Sequence, residues 1–97
     1  NWIENIPILS SLIENKIDVV EFDSSNGKII SISFNTKNLS KKKIFSFYSD
    51  FFEEKKWQKY ENENVWETKN KRFKKKIFKI ENFEDNILKF KIIVENF

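Results

Sequence analysis

From Ser40 to Lys56 the chain runs without glycine or proline, and Ile44, Phe47, Tyr48, Phe51 and Lys55 recur at three- and four-residue spacing, placing them on one face of a helix. Phe45 and Phe52 flank that face, and Lys41, Lys42, Ser49, Asp50, Glu53 and Glu54 are left outside it. Ser40 stands where an N-cap belongs, since its hydroxyl can accept from a first-turn N–H. Three lysines, Lys41 to Lys43, then oppose the helix dipole, so packing of the apolar face has to hold this element more than propensity does. A helix over 40–56 with one greasy face needs a surface to lie on.

The rest of the chain predicts that surface. Ile17 to Phe22 reads as a strand, with Val20 and Phe22 on one face. Ser24, Ser25, Asn26 and Gly27 form a turn cluster holding the single glycine, and Lys28 to Phe34 alternates Ile30, Ile32 and Phe34 against Ser31 and Ser33. The segment 17–34 is therefore predicted as a hairpin, followed by a polar connection over Asn35 to Leu39. After the helix, Trp57 to Glu61 and Val65 to Lys69 read as strands around Asn62, Glu63 and Asn64. Phe73 to Glu81 and Ile87 to Glu95 follow, separated by a turn over 82–86. In Phe73 to Glu81 the inward face is expected to change between Ile77 and Phe78, as at a β-bulge. Residues 1–16 are expected to be a lead-in segment, extended around Pro7, with a helical turn at 9–14. The expectation is one α+β domain over 1–97: an antiparallel sheet of about five to six strands with one amphipathic helix on one face, in the order β-β-α-β-β-β(-β).

Composition tempers what the charges mean. Ile, Lys, Asn and Phe supply 14, 17, 12 and 11 of the 97 residues against a single Arg. All four have AT-rich codons, so the lysine excess is largely base composition. The basic and acidic residues number 18 and 15, a net charge of +3 that gives a modest overall field. Cysteine and histidine are both absent, which excludes a disulfide framework, a thiol nucleophile and the commonest transition-metal ligands. No apolar run approaches the length of a membrane-spanning helix.

Ile6-Pro7-Ile8, Leu12, Val20 to Asp23, Gly27-Lys28-Ile29-Ile30, Phe47-Tyr48, Phe51 or Phe52, and Trp57 occur in an order that resembles small uncharacterised envelope proteins of alphaproteobacteria. In these an "IPLMPGL" lead-in precedes "VVFD…GRIV" and "FYxxxLxxxGW". The resemblance covers nearly the whole chain, but each motif is a folding signature. This chain departs from it at Lys56, where a glycine commonly closes the helix. The resemblance implies export, with a signal or anchor removed, and a periplasmic or envelope-associated location; it brings no activity with it.

Between residues 68 and 80 lie seven cations and no acid: Lys69, Lys71, Arg72, Lys74, Lys75, Lys76 and Lys79. Such a strip could follow the phosphates of lipid headgroups, anionic glycan or nucleic acid, with Trp66 or Phe73 as a stacking surface. The simpler reading is a solvated edge strand kept from aggregation by its lysines, which the base composition and the scarcity of arginine favour over phosphate recognition. Carboxylate pairs at Asp50 with Glu53 or Glu54, Glu61 with Glu63, and Glu84 with Asp85 fall on an exposed helix face or in turns, where solvated charge is the simpler explanation than acid–base work. Trp2, Trp57, Trp66, Tyr48 and Tyr60 could line a pocket, although Tyr48 and Trp57 sit at docking positions of the core. Trp66, sharing strand parity with Asn64 and Thr68, is expected to be exposed and available to a partner.

No catalytic constellation and no cofactor site emerges. The function expected from sequence is a noncatalytic interaction domain of the bacterial cell envelope, binding another envelope protein through an exposed sheet face or an unpaired edge. The alternative is an anionic-ligand binder acting through the Lys69–Lys79 strip, with lipid or glycan favoured over nucleic acid.

Overall fold

The computed structural model describes residues 2–22, 26–36, 39–61 and 63–97. Ser24, Ser25, Lys37, Asn38 and Asn62, to which turns and connections were assigned from sequence, lie outside them. The lead-in is a small antiparallel hairpin, β1 (Trp2–Ile3) with β2 (Ile6–Pro7), closed by Glu4 and Asn5 at positive φ. Strands β3 (Ile13–Glu21) and β4 (Gly27–Asn35) precede helix α1 (Lys41–Glu54). Four more follow it: β5 (Gln58–Lys59), β6 (Val65–Thr68), β7 (Lys75–Glu84) and β8 (Ile87–Glu95). The main sheet is six-stranded and antiparallel, in the order β3-β4-β8-β7-β6-β5, with one helix on one face, as the sequence pattern predicts.

Cross-strand partners share a face, so the register identifies the inner surface. Its rows are Ile30–Ile92–Phe78–Trp66, then Ile32–Phe90–Ile80, then Phe34–Leu88–Phe83. Onto this surface α1 lays Ile44, Tyr48 and Phe52, all fully buried. Tyr48 meets Phe78 and Phe90 with ring centroids 5.0 Å apart, and Phe52 meets Trp66 and Phe78 at 5.1 Å. Each buried aromatic contributes about 1.5–3 kcal/mol by area alone, so a chain with few apolar positions can still build a core. The buried face is rotated from the one predicted. Phe52 lies at its centre rather than its flank, Phe47 and Phe51 are half-buried, and Lys55 is exposed as the C-cap.

Both helix ends are explained locally. The Ser40 hydroxyl accepts from the Lys43 N–H at 3.2 Å. At the other end Lys56 takes φ 61°, its N–H bonding to Glu53 O, while the Trp57 N–H bonds to Phe52 O. These are the two bonds of a Schellman motif, and the accompanying apolar contact is Phe52 with Trp57, centroids 4.6 Å apart. The helix thus closes on a left-handed lysine where a glycine is usual, and Trp57, expected to start a strand, is consumed in closing it.

Several boundaries differ from expectation. β3 starts at Ile13, after a turn in which the Leu12 N–H bonds to Leu9 O, so 9–14 is not helical. β5 is only two residues long, and β7 continues to Glu84, leaving Asp85 and Asn86 as a two-residue hairpin turn with both φ positive. The irregularity in β7 lies between Ile80 and Asn82; Lys76, Phe78 and Ile80 all face inward without interruption. Lys76 is what misleads the eye: a lysine occupies a core-facing position because it has an acid to reach.

That acid is Glu4. Its carboxylate lies 2.8 Å from Lys28 Nζ and 3.4 Å from Lys76 Nζ, and Lys76 also donates to the Glu4 carbonyl at 3.3 Å. Lys28 and Lys76 are both partnered with Val94, so the lead-in turn is clamped across three strands of the sheet. The Tyr48 hydroxyl donates to Pro7 O at 2.9 Å, tying the same hairpin to the helix. Ile6, Ile8 and Leu12 complete the core. Among the described residues no helix is long and apolar enough to cross a membrane.

Candidate functional site

The feature of this fold left without structural employment is β3. Among the described residues it ends the sheet and pairs with β4 alone, and all nine of its residues are exposed. Its helix-side residues follow from the register: Val19 opposes Ile30 and Ile17 opposes Ile32, yet they remain 50% and 44% exposed because α1 sits over the far side of the sheet. On the opposite face lie Lys16, Asp18 and Val20, the last 60% exposed and aligned with Ile29, Ile93 and Ile77. Lys16 and Asp18 are 3.5 Å apart in a solvated pair.

The direction of the backbone groups can be read from one hydrogen bond. The Phe22 N–H donates to Gly27 O at 2.8 Å, so this residue faces β4. Alternation then turns the N–H and C=O of Val20, Asp18 and Lys16 toward β4, and those of Ile17, Val19 and Glu21 outward. Outward-facing groups in a row are a template for another strand. Beyond Lys16 the ladder is interrupted by a bulge at Asn15, between Glu14 and Lys16.

The basic strip does not form one surface. Residues 69–74 make a loop in which Asn70 Oδ1 accepts from the N–H groups of Arg72 at 2.7 Å and Phe73 at 3.1 Å, leaving Lys69, Lys71, Arg72 and Lys74 exposed. Lys75 and Lys79 point to the uncovered face of the sheet; Lys75 pairs with Glu67 at 3.5 Å, and Lys79 opposes Lys91, itself 3.5 Å from Glu81. Lys76 is buried on the other face, over the Phe73 ring at 4.6 Å. Strand alternation, together with the loop, therefore divides the seven cations among three places.

Trp66 is a correction. It is 3% exposed, stacked on Phe52 and opposite Phe78 in the core. Its shared parity with Thr68 holds, but that face is inward: Thr68 opposes Lys76 near the lead-in, where a polar residue has company. The five aromatic residues considered for a pocket are dispersed as well. Tyr48 is core, Tyr60 lies near the β5 edge, and Trp2, 64% exposed, rests edge-on against Phe51. A cleft of ≈ 360 Å³ brings Trp2 and Trp57 together with Phe51, Phe73, Lys55 and Lys76. The carboxylate pairs are exposed on α1 and in turns, except that Glu84 ends β7 and only Asp85 of that pair lies in the turn. Sequence reasoning missed Glu4, whose signal was a lone acid among the otherwise apolar and amide residues 1–9. It also missed the extension of the edge strand to Ile13.

One group at the lead-in titrates unusually. Burial penalises the charged form of Glu4, but the hydrogen bond and charge of Lys28, with those of Lys76, outweigh it and hold the carboxyl below the usual glutamate value. Burial pushes the Tyr48 phenol well up, out of reach of physiological pH. Both serve the fold. No family model matches this chain, and none of the curated proteins or solved structures matches it.

Proposed function

We infer that this chain is a noncatalytic protein-interaction module of the bacterial cell envelope that accepts an extended protein strand along β3. The observation that carries this is the nine-residue edge, exposed throughout, with apolar residues on both faces and three residues whose backbone groups point outward. Main-chain bonds would supply affinity, and Ile17, Val19 and Val20 would supply side-chain contacts. The envelope location rests on the sequence resemblance and on nothing else.

The test is hydrogen exchange of the Ile17, Val19 and Glu21 amides, measured with and without envelope proteins at high salt. Protection of those amides is expected, together with its loss in Val19→Pro. That substitution removes an outward N–H from an edge strand, where proline is tolerated, and leaves the β4 bonds intact. Exchange at open-strand rates under every condition would sink the proposal.

A second reading keeps an anionic ligand, lipid headgroup or glycan, at the loop 69–74, since Lys69, Lys71, Arg72 and Lys74 are exposed around the Asn70 turn. Its signature is binding that falls steeply with salt and is lost when these four are neutralised. Lys76 is left out of that test, because reversing its charge beside Glu4 would damage the fold.

A further inference from the structure

We propose that the strand taken up by β3 is β3 of a second copy of this chain, paired antiparallel about a two-fold axis at Ile17; this rests on the strand-addition reading and names its partner. The argument is the pattern of charge along the edge. A two-fold at Ile17 places Lys16 opposite Asp18 of the other copy, and Asp18 opposite its Lys16, so both charge pairs are satisfied at once. Neighbouring registers fail this test. Centred on Lys16, the lysine opposes itself and Asp18 meets Glu14. Centred on Asp18, the aspartate opposes itself. Centred on Val19, Asp18 meets Val20 and Ile17 meets Glu21, and neither charge is answered.

The backbone permits this axis, as it permits one at Val19, so the charges decide between them. Ile17 is among the residues whose N–H and C=O face outward, so Ile17 and its symmetry mate form a hydrogen-bonded pair exchanging both bonds. Lys16 and Asp18 then fall at the intervening non-hydrogen-bonded pairs, where opposed side chains approach most closely, Cα atoms about 4.5 Å apart. The two ions are already 3.5 Å from each other within one chain, so pairing brings four charges of alternating sign into one cluster on the uncovered face. On the helix side the two Ile17 side chains meet, and Val19 lies beside them, covering apolar groups that are about half exposed in one chain. The contact is isologous, and a second copy provides the same segment by symmetry.

The experiment measures self-association of the purified chain by sedimentation over a wide concentration range. A dimer is expected, weakened at least about tenfold by Asp18→Lys, which turns both cross-pairs repulsive. Adding Lys16→Asp to that variant restores opposite charges and should restore the dimer. Because the chain has no cysteine, Ile17→Cys reports geometry directly: hydrogen-bonded partners have Cα atoms about 5.5 Å apart, within disulfide reach, so oxidation should give a covalent dimer. Val20→Cys, three residues off the axis, should not. A dimer indifferent to the charge swap, or cross-linked equally through both cysteines, would overturn the proposal. A monomer at all concentrations would overturn it too; if envelope proteins still protect the Ile17, Val19 and Glu21 amides, strand addition stands without the second copy, and if they do not, both fall.

Discussion

Lys56 is the residue at which this chain bears an avoidable cost. A non-glycine side chain in the left-handed region costs about 1–2 kcal/mol, and Lys56 occupies it only because the Schellman bonds and the Phe52–Trp57 contact require a residue there. Lys56→Gly should therefore raise stability by about 1 kcal/mol, visible as a Tm increase of about 4–8 °C in a domain of this size. Asn86→Gly should gain less, since asparagine tolerates the same conformation. Gly27 is the opposite case. At φ 148° a Cβ there would lie against the Val94 carbonyl, so Gly27→Ala should cost at least about 2 kcal/mol in denaturant unfolding. Trp66→Ala should cost about 3–5 kcal/mol for the cavity it opens in the core, a stability defect rather than a binding one.

Glu4 gives a pH prediction at the same scale. Its folded pKa is depressed below the ordinary value of 4.5, so the stability it contributes is present above that value and is lost as pH falls through the folded one. Glu4→Gln should flatten part of the decline in stability below about pH 4.5, measured by denaturant melts along an acid series. If the variant and parent lose stability in parallel there, the clamp is not felt in solution.

Among the elements, those announced by chemistry at their ends were legible, whereas those defined by long-range contact were not. Ser40 marks the start of α1 because capping is a local bond. The β4 and β8 strands alternate cleanly, and the structure uses that alternation unchanged. Which face of α1 is central, however, depends on where Phe78 and Phe90 stand, and they come from later strands. Trp66 shows the same limit: parity fixes which residues share its face, but only pairing with β7 fixes that this face is inward. The lead-in hairpin has no glycine, since Glu4 and Asn5 take the positive φ themselves, so the usual turn signal is missing. At the candidate site the unpaired edge could be anticipated as a type of surface; its identity with β3 required the strand order. The three lysines at the head of α1, with no acid in the first turn, invite Lys42→Glu, expected to stabilise by about 0.3–1 kcal/mol at low salt and less as salt is raised.

For the molecule as a whole, the lead-in acts as the strap that holds helix to sheet. It contributes Ile6, Ile8 and Leu12 to the core, an acceptor to Tyr48 and an acid to two lysines. Tyr48→Phe should cost about 1–2 kcal/mol by stranding the Pro7 carbonyl, and should expose β1 and β2 to faster amide exchange without unfolding the sheet.

The two margins of the sheet are unequal: β3 runs for nine residues, and β5 stops after two. A heterologous contact between two long margins would let copies add without end, whereas a two-fold union at β3 uses both long margins at once and leaves only the short stubs outermost. Two residues offer too little ladder to recruit a third copy. The brevity of β5 thus acts as a stop: it would make the assembly finite, a closed pair rather than a growing fibril.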